Sequence, residues 1–239
     1  MDTSINRRHF VEATAGVAAL ASLTLPNGAQ AATDATMAAP SATYEVKPLP
    51  FDPAKLIGIS EKLIVSHHDN NYAGAVKRLN AITAQLASLD WASAPTFMIN
   101  GLKREELIAA NSMILHEHYF DALGGSGDPN DALAQAITRD FGSVARWRAE
   151  FSAMGKAEGG GSGWVILTYS PRDKRLMNAW AADHTTTLAG GRPVLVMDMY
   201  EHAYHMDYGA KAAAYVDAFM QGIHWEQSTK LYEQYRREA

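Results

Sequence analysis

A glycine- and proline-rich break, Gly124-Gly125-Ser126-Gly127-Asp128-Pro129, divides the sequence into two stretches with different hydrophobic periods. Before it, Leu63, Ile64, Val76, Leu79, Ile82 and Leu86 recur at helical spacing from a capped start at Ser60-Glu61-Lys62-Leu63. A second helix is predicted from about Lys103 to Leu123, after a break over 92–101 that holds Pro95 and Gly101. Beyond the boundary, helices near 131–140 and 143–158 precede short apolar runs at 164–169, 176–181 and 194–197, the first two joined by Pro171-Arg172-Asp173-Lys174. A long helix from about Gly209 closes the chain. This order predicts an α+β fold, an N-terminal antiparallel helical hairpin (53–125) followed by a C-terminal domain (126–239) whose three-stranded antiparallel sheet is flanked by helices.

The N-terminal segment reads as a targeting signal rather than as part of that fold. Arg7-Arg8 precedes an apolar run from about Ala13 to Leu25, Pro26-Asn27-Gly28 breaks it, and Ala29-Gln30-Ala31 has the small-x-small form of a cleavage site. The run is short for a membrane span. This arrangement resembles a twin-arginine export signal over residues 1–31, which implies delivery of a folded protein to the periplasm and no membrane attachment after cleavage. The alternative is an uncleaved anchor. Residues 32–52, rich in Ala, Thr, Ser and Pro, form a linker that becomes an extended lead-in at Tyr44-Glu45-Val46.

Composition narrows the chemistry. The chain has no cysteine, which removes disulfides, thiolate metal sites and cysteine nucleophiles. A net charge of −5 argues against a general nucleic-acid partner. Gly159-Gly160-Gly161-Ser162-Gly163 is not a phosphate loop, because no Lys-Ser/Thr follows it. A metal must therefore be held by His, Asp or Glu. His67 and His116 fall on the two helices of the predicted hairpin, where they can meet across it. Asp198 and His202 are four residues apart at the end of the third strand, so both can reach one ion as the chain turns. Three imidazoles and a carboxylate suit Fe or Mn, one per chain, and leave a position open for a small ligand; they would also bind Zn.

Four segments together resemble the iron/manganese superoxide dismutase family. Asp198-Met199-Tyr200-Glu201-His202-Ala203-Tyr204-His205-Met206-Asp207-Tyr208, followed by Tyr215-Val216-Asp217-Ala218-Phe219, is similar to that family's D-x-W-E-H-A-Y-Y-x-D-Y and Y-V-D-A-F. Gly161-Ser162-Gly163-Trp164 resembles its G-S-G-W strand entry, and His116-Glu117-His118-Tyr119-Phe120 its second-ligand segment. Ile59-Ser60 and Leu79-Asn80 stand at its offsets from the first ligand, His67. The resemblance spans about 44–235. It implies that His67, His116, Asp198 and His202 hold the metal, that superoxide is the substrate, and that Glu201 orients a ligand His across a homodimer.

The departures from the family's pattern are as specific. Its gateway His and Tyr correspond to Asn71 and Ala75, with Tyr72 the nearby phenol; the second Tyr of A-Y-Y is His205, and the Trp of D-x-W-E-H is Tyr200. His184 is the candidate to bind the metal's solvent ligand, with Tyr72 and His205 as proton carriers. His68 and His118 are expected to be structural. Two other readings follow from the same residues: a metal-handling protein of this fold with weak or lost dismutation, and a mononuclear Fe or Mn oxygenase or peroxidase.

Overall fold

The computed structural model describes residues 42–125, 128–129, 131–159 and 161–239, and all of these belong to one compact unit. The expected export signal and most of the linker lie outside the described residues. Helix α1 (Glu61–Ser66) starts where expected, with Ser60 Oγ accepting from the Leu63 N–H at 3.1 Å. It runs into a π-helical turn (His67–Tyr72) and on into α2 (Ala73–Ala87). Helix α3 (Thr96–Asp121) packs antiparallel on α2, which gives the expected hairpin. It begins seven residues earlier than its apolar period predicts. Pro95 lacks an N–H and stands just before the first turn, and Gly101 sits inside the helix at a cost of about 1 kcal/mol.

Beyond the boundary come α4 (Asp131–Phe141) and α5 (Val144–Glu158), then β1 (Trp164–Ser170), β2 (Arg175–Ala181) and β3 (Arg192–Asp198). The sheet is antiparallel in the order β2-β1-β3, so β1 is central and buried along its whole length, which explains the apolar run Trp164–Leu167 that opens it. In the β1–β3 register Trp164 faces Asp198 directly, so their side chains emerge beside each other on one face. The ladder shifts between Leu167 and Thr168, where Pro193 has no N–H to give.

A short 3₁₀ turn (Glu201–Ala203) and α6 (His205–Tyr208) follow β3. The long C-terminal helix expected from the sequence is in fact two, α7 (Ala212–Gln221) and α8 (Trp225–Glu238). They separate because Ile223 bridges to Leu123 and the His224 N–H donates to the Ala122 carbonyl at 2.7 Å, contacts that a continuous helix would forfeit.

Two clasps set the ligand-bearing helices. The lead-in is tied to α2 by paired hydrogen bonds between the Tyr44 backbone and the Asn80 amide, both 2.8 Å. Asp207 on α6 accepts from both the N–H and the hydroxyl of Ser60, at 2.7 and 2.6 Å, joining the segment after β3 to the start of α1. Its charge lies at the positive end of that helix.

Candidate metal centre

His67 opens the π turn, His116 lies in the last third of α3, Asp198 ends β3 and His202 sits in the 3₁₀ turn. One ligand atom from each lies within 4.8 Å of every other. The Nε2 atoms of His67, His202 and His116 stand 3.1, 3.3 and 3.6 Å from Asp198 Oδ2. The fold thus brings together the four residues singled out by sequence.

Hydrogen bonds fix the orientation of His116 and Asp198, and aromatic rings confine His67. His116 Nδ1 donates to the Ser112 carbonyl one turn back, at 2.6 Å, so Nε2 is left with its lone pair facing the cluster. Asp198 accepts from the Tyr200 N–H at Oδ1, 2.8 Å away, which leaves Oδ2 for the centre. Its carbonyl accepts from the Tyr215 hydroxyl at 2.8 Å, with the Tyr119 hydroxyl 3.3 Å from that of Tyr215. Tyr119 and Phe120 wall the His67 ring at centroid distances of 5.1 and 5.3 Å, and Trp164 meets His116 edge-on at 5.2 Å.

Electrostatics point to a cation. Burial alone would push the Asp198 carboxyl up, but the imidazoles of His202 and His67 outweigh it and hold it well below the ordinary carboxylate range. Burial pushes His67 down and takes His116 down to about 3, so both rings are neutral near pH 7 and able to ligate. His67 Nε2 and His116 Nε2 are buried without a hydrogen-bond partner among the described residues. Two unsatisfied lone pairs aimed at one point beside a buried carboxylate are costly unless an ion sits between them. The donor set fits one Fe or Mn ion.

A cavity of about 290 Å³ leads to this cluster, with His116, His202, His184, Ser112, Ala75 and Asn71 among its walls. His184 lines this cavity. Its Nδ1 accepts from Trp164 Nε1–H at 3.0 Å, and because an indole can only donate, the proton of neutral His184 sits on Nε2. Burial also lowers its pKa.

The other candidate residues are placed differently. Tyr72 is buried and does not line the cavity. Its hydroxyl donates to Glu117 Oε1 and accepts from the Lys47 N–H, both at 3.0 Å, and burial pushes its pKa up to about 12. The expectation of a proton carrier at the entrance is therefore corrected for Tyr72; it ties the lead-in to α3. Glu201 and His205 are exposed on the single chain, and neither lines the cavity. His68 is structural as expected, with Nε2 2.8 Å from the Lys47 carbonyl oxygen.

Sequence reasoning missed the ordering role of Tyr200, whose ring stacks on His184 at 4.8 Å and 10° and on His202 at 5.3 Å and 22°. It also missed the Ser112 carbonyl, which the i−4 position on a helix would have suggested.

Residues 129–231 match the family described as iron/manganese superoxide dismutases, C-terminal domain. The chain is 74% identical over 185 residues to an iron superoxide dismutase of Cupriavidus metallidurans, covering 77% of this chain and 94% of that protein. It is 35% identical over 199 residues to manganese superoxide dismutase 1 of Halobacterium salinarum, covering 80% of this chain and 96% of the relative. An iron superoxide dismutase of Aquifex pyrophilus is 35% identical over 189 residues, covering 76% and 87%.

Proposed function

The chain belongs to the iron/manganese superoxide dismutase family, and from this we infer that its buried His67–His116–Asp198–His202 cluster holds one Fe or Mn ion and that the protein converts superoxide to dioxygen and hydrogen peroxide. The convergence of three imidazole Nε2 atoms on Asp198 Oδ2 is the observation that carries this reading. A bound Fe or Mn ion, held by these four residues, would supply the one-electron redox couple between +3 and +2 that dismutation needs.

The rest is work for the protein. The Ser112 carbonyl and the Tyr200 N–H hold His116 and Asp198 in their ligating orientations. The cavity admits superoxide as far as His116 and His202. Reduction to hydrogen peroxide requires two protons, and His184, with its Nε2–H fixed by the Trp164 hydrogen bond, acts as the donor that orients solvent in the cavity. The ordering of His184 by the stacked Tyr200 ring supports this role.

The further parts of the proposal concern assembly and location. Glu201, exposed beside His202, is a carboxylate suited to cross a two-fold axis and take the ring N–H of a ligand His in a second copy, which supports a homodimer with superoxide as substrate. The Arg7-Arg8 signal supports export to the periplasm. Among the described residues no helix is long and apolar enough to cross a membrane. The experiment for the central reading is metal analysis of the purified chain paired with a direct superoxide-decay assay on its iron and manganese forms.

A further inference from the structure

His184 stands on a loop, 182–191, that has no helix or strand of its own, yet a proton donor needs a fixed ring. Two contacts act on the ring itself. Tyr200 stacks on it at 4.8 Å and 10°, which confines it to a plane, and the Trp164 indole N–H pins Nδ1 at 3.0 Å. A flat ring held to a plane and pinned at one atom keeps one freedom, rotation in that plane about the pin. That rotation moves Nε2, the atom that carries the proton. It can be removed only from the backbone side, where the ring is attached.

Asn111 supplies that third hold. Its side-chain amide donates to the His184 carbonyl across 73 positions of sequence and joins the loop to α3. Its neighbour Ser112 orients His116 through its own carbonyl, so two successive residues of α3 set both rings. Inside the loop, Asp183 Oδ1 accepts from the N–H and the hydroxyl of Thr185, at 2.7 and 2.6 Å, a turn that stiffens the backbone on either side of His184. Asn111 is not among the cavity walls, so its effect on the chemistry passes through His184. The two halves of dismutation differ in proton need. One superoxide gives up an electron to become dioxygen, whereas the other takes one electron and two protons to become hydrogen peroxide. We propose that Asn111 is a positioning residue for the second half: by holding the His184 carbonyl it fixes the direction of the Nε2–H. The proposal rests on the reading of His184 as the proton donor.

The test uses the full iron-loaded chain. Asn111→Leu keeps about the same side-chain volume and removes the donor, and Asn111→Ala takes its place if leucine prevents folding. Pulse radiolysis of the oxidised and the reduced protein reads the two half-reactions separately, and mass spectrometry follows amide hydrogen exchange over 182–191. Exchange in the loop should be about fivefold faster in the variant, and an unchanged rate would remove the tether itself. Iron content should stay the same. The peroxide-forming half should slow by about tenfold, with the dioxygen-forming half within about twofold of the parent. His184→Ala should slow the peroxide-forming half at least as much, and adding Asn111→Leu to it should slow it no further. Equal slowing of both halves, or further slowing in the double variant, would make Asn111 a structural residue and overturn the proposal. Parent rates in Asn111→Leu beside a slow His184→Ala would also overturn it and leave the donor standing. A His184→Ala that forms peroxide at the parent rate would overturn the donor reading, and the role of Asn111 with it.

Discussion

Glu158 ends α5 in a position where an ionised carboxylate is expensive. It is 8% exposed, and both carboxyl oxygens are buried without a hydrogen-bond partner among the described residues. A Cβ on Gly163 would stand 2.7 Å from Oε2, so the backbone presses directly on the group. Burial, with the Asp198 charge as a second cause, pushes its pKa from 4.5 up to about 8. The sign follows from proton counting. Between these two values the folded chain binds a proton that the unfolded chain does not, so stability falls as pH rises and the penalty is complete above about 8. The separation of the two pKa values, at about 1.4 kcal/mol per pH unit, sets a ceiling of roughly 5 kcal/mol. Water entry and relaxation lower the effective cost to about 2–3 kcal/mol. Glu158→Gln keeps the shape and removes the ionisation. Thermal unfolding of the metal-loaded variant should therefore show a gain of about 5–10 °C at pH 9 and less than about 2 °C at pH 5. An equal gain at both pH values would mean that packing, not charge, is responsible. A loss at pH 9 would refute the buried-carboxyl argument altogether.

Asp207→Ala removes the clasp on Ser60 and should lower stability by about 1–2 kcal/mol, measured by urea unfolding, with faster metal loss to a chelator because His67 and His202 lie on the two segments it joins. An unchanged chelation rate would make the clasp irrelevant to the centre. Tyr72→Phe leaves Glu117 and the Lys47 N–H each short of one hydrogen bond, so about 1 kcal/mol of stability should go while the pH profile of superoxide decay stays where it is. A displaced profile would restore Tyr72 as a proton carrier. Glu201→Ala should shift the assembly toward monomer in light scattering and weaken metal retention; a monomeric parent protein would remove the basis for that expectation.

The candidate metal cluster was legible because the sequence offers so few alternatives. With no cysteine, only His and carboxylates remain, and His67, His116 and Asp198-x-x-x-His202 each fall at an element's end or on a facing helix. The helix and strand order was equally readable, since Gly124–Pro129 separates two hydrophobic periods. Tyr72 was misplaced because a wheel drawn at 3.6 residues per turn puts it on the same face as Ala75. Three residues still leave the two side chains about 60° apart round the helix, enough for Ala75 to line the cavity while Tyr72 is turned to Glu117 and the lead-in. The division of α7 from α8 has one local signal, Gly222 at the C-cap of α7, which the sequence reading passed over; the Leu123–Ile223 bridge that holds the break pairs residues one hundred positions apart. The early start of α3 reflects Gly101, which reads as a breaker but is tolerated where tertiary packing supports the helix.

The most direct test of the metal centre as a dismutase is superoxide decay after pulse radiolysis, measured on iron- and manganese-loaded chain alongside elemental analysis of the same samples and of Asp198→Ala. The expected result is one ion per chain, second-order loss of superoxide catalysed by at least one metal form, and loss of both the ion and the catalysis in Asp198→Ala. A parent chain that holds one ion per molecule but clears superoxide no faster than buffer would contradict the account and leave a metal-handling protein in its place.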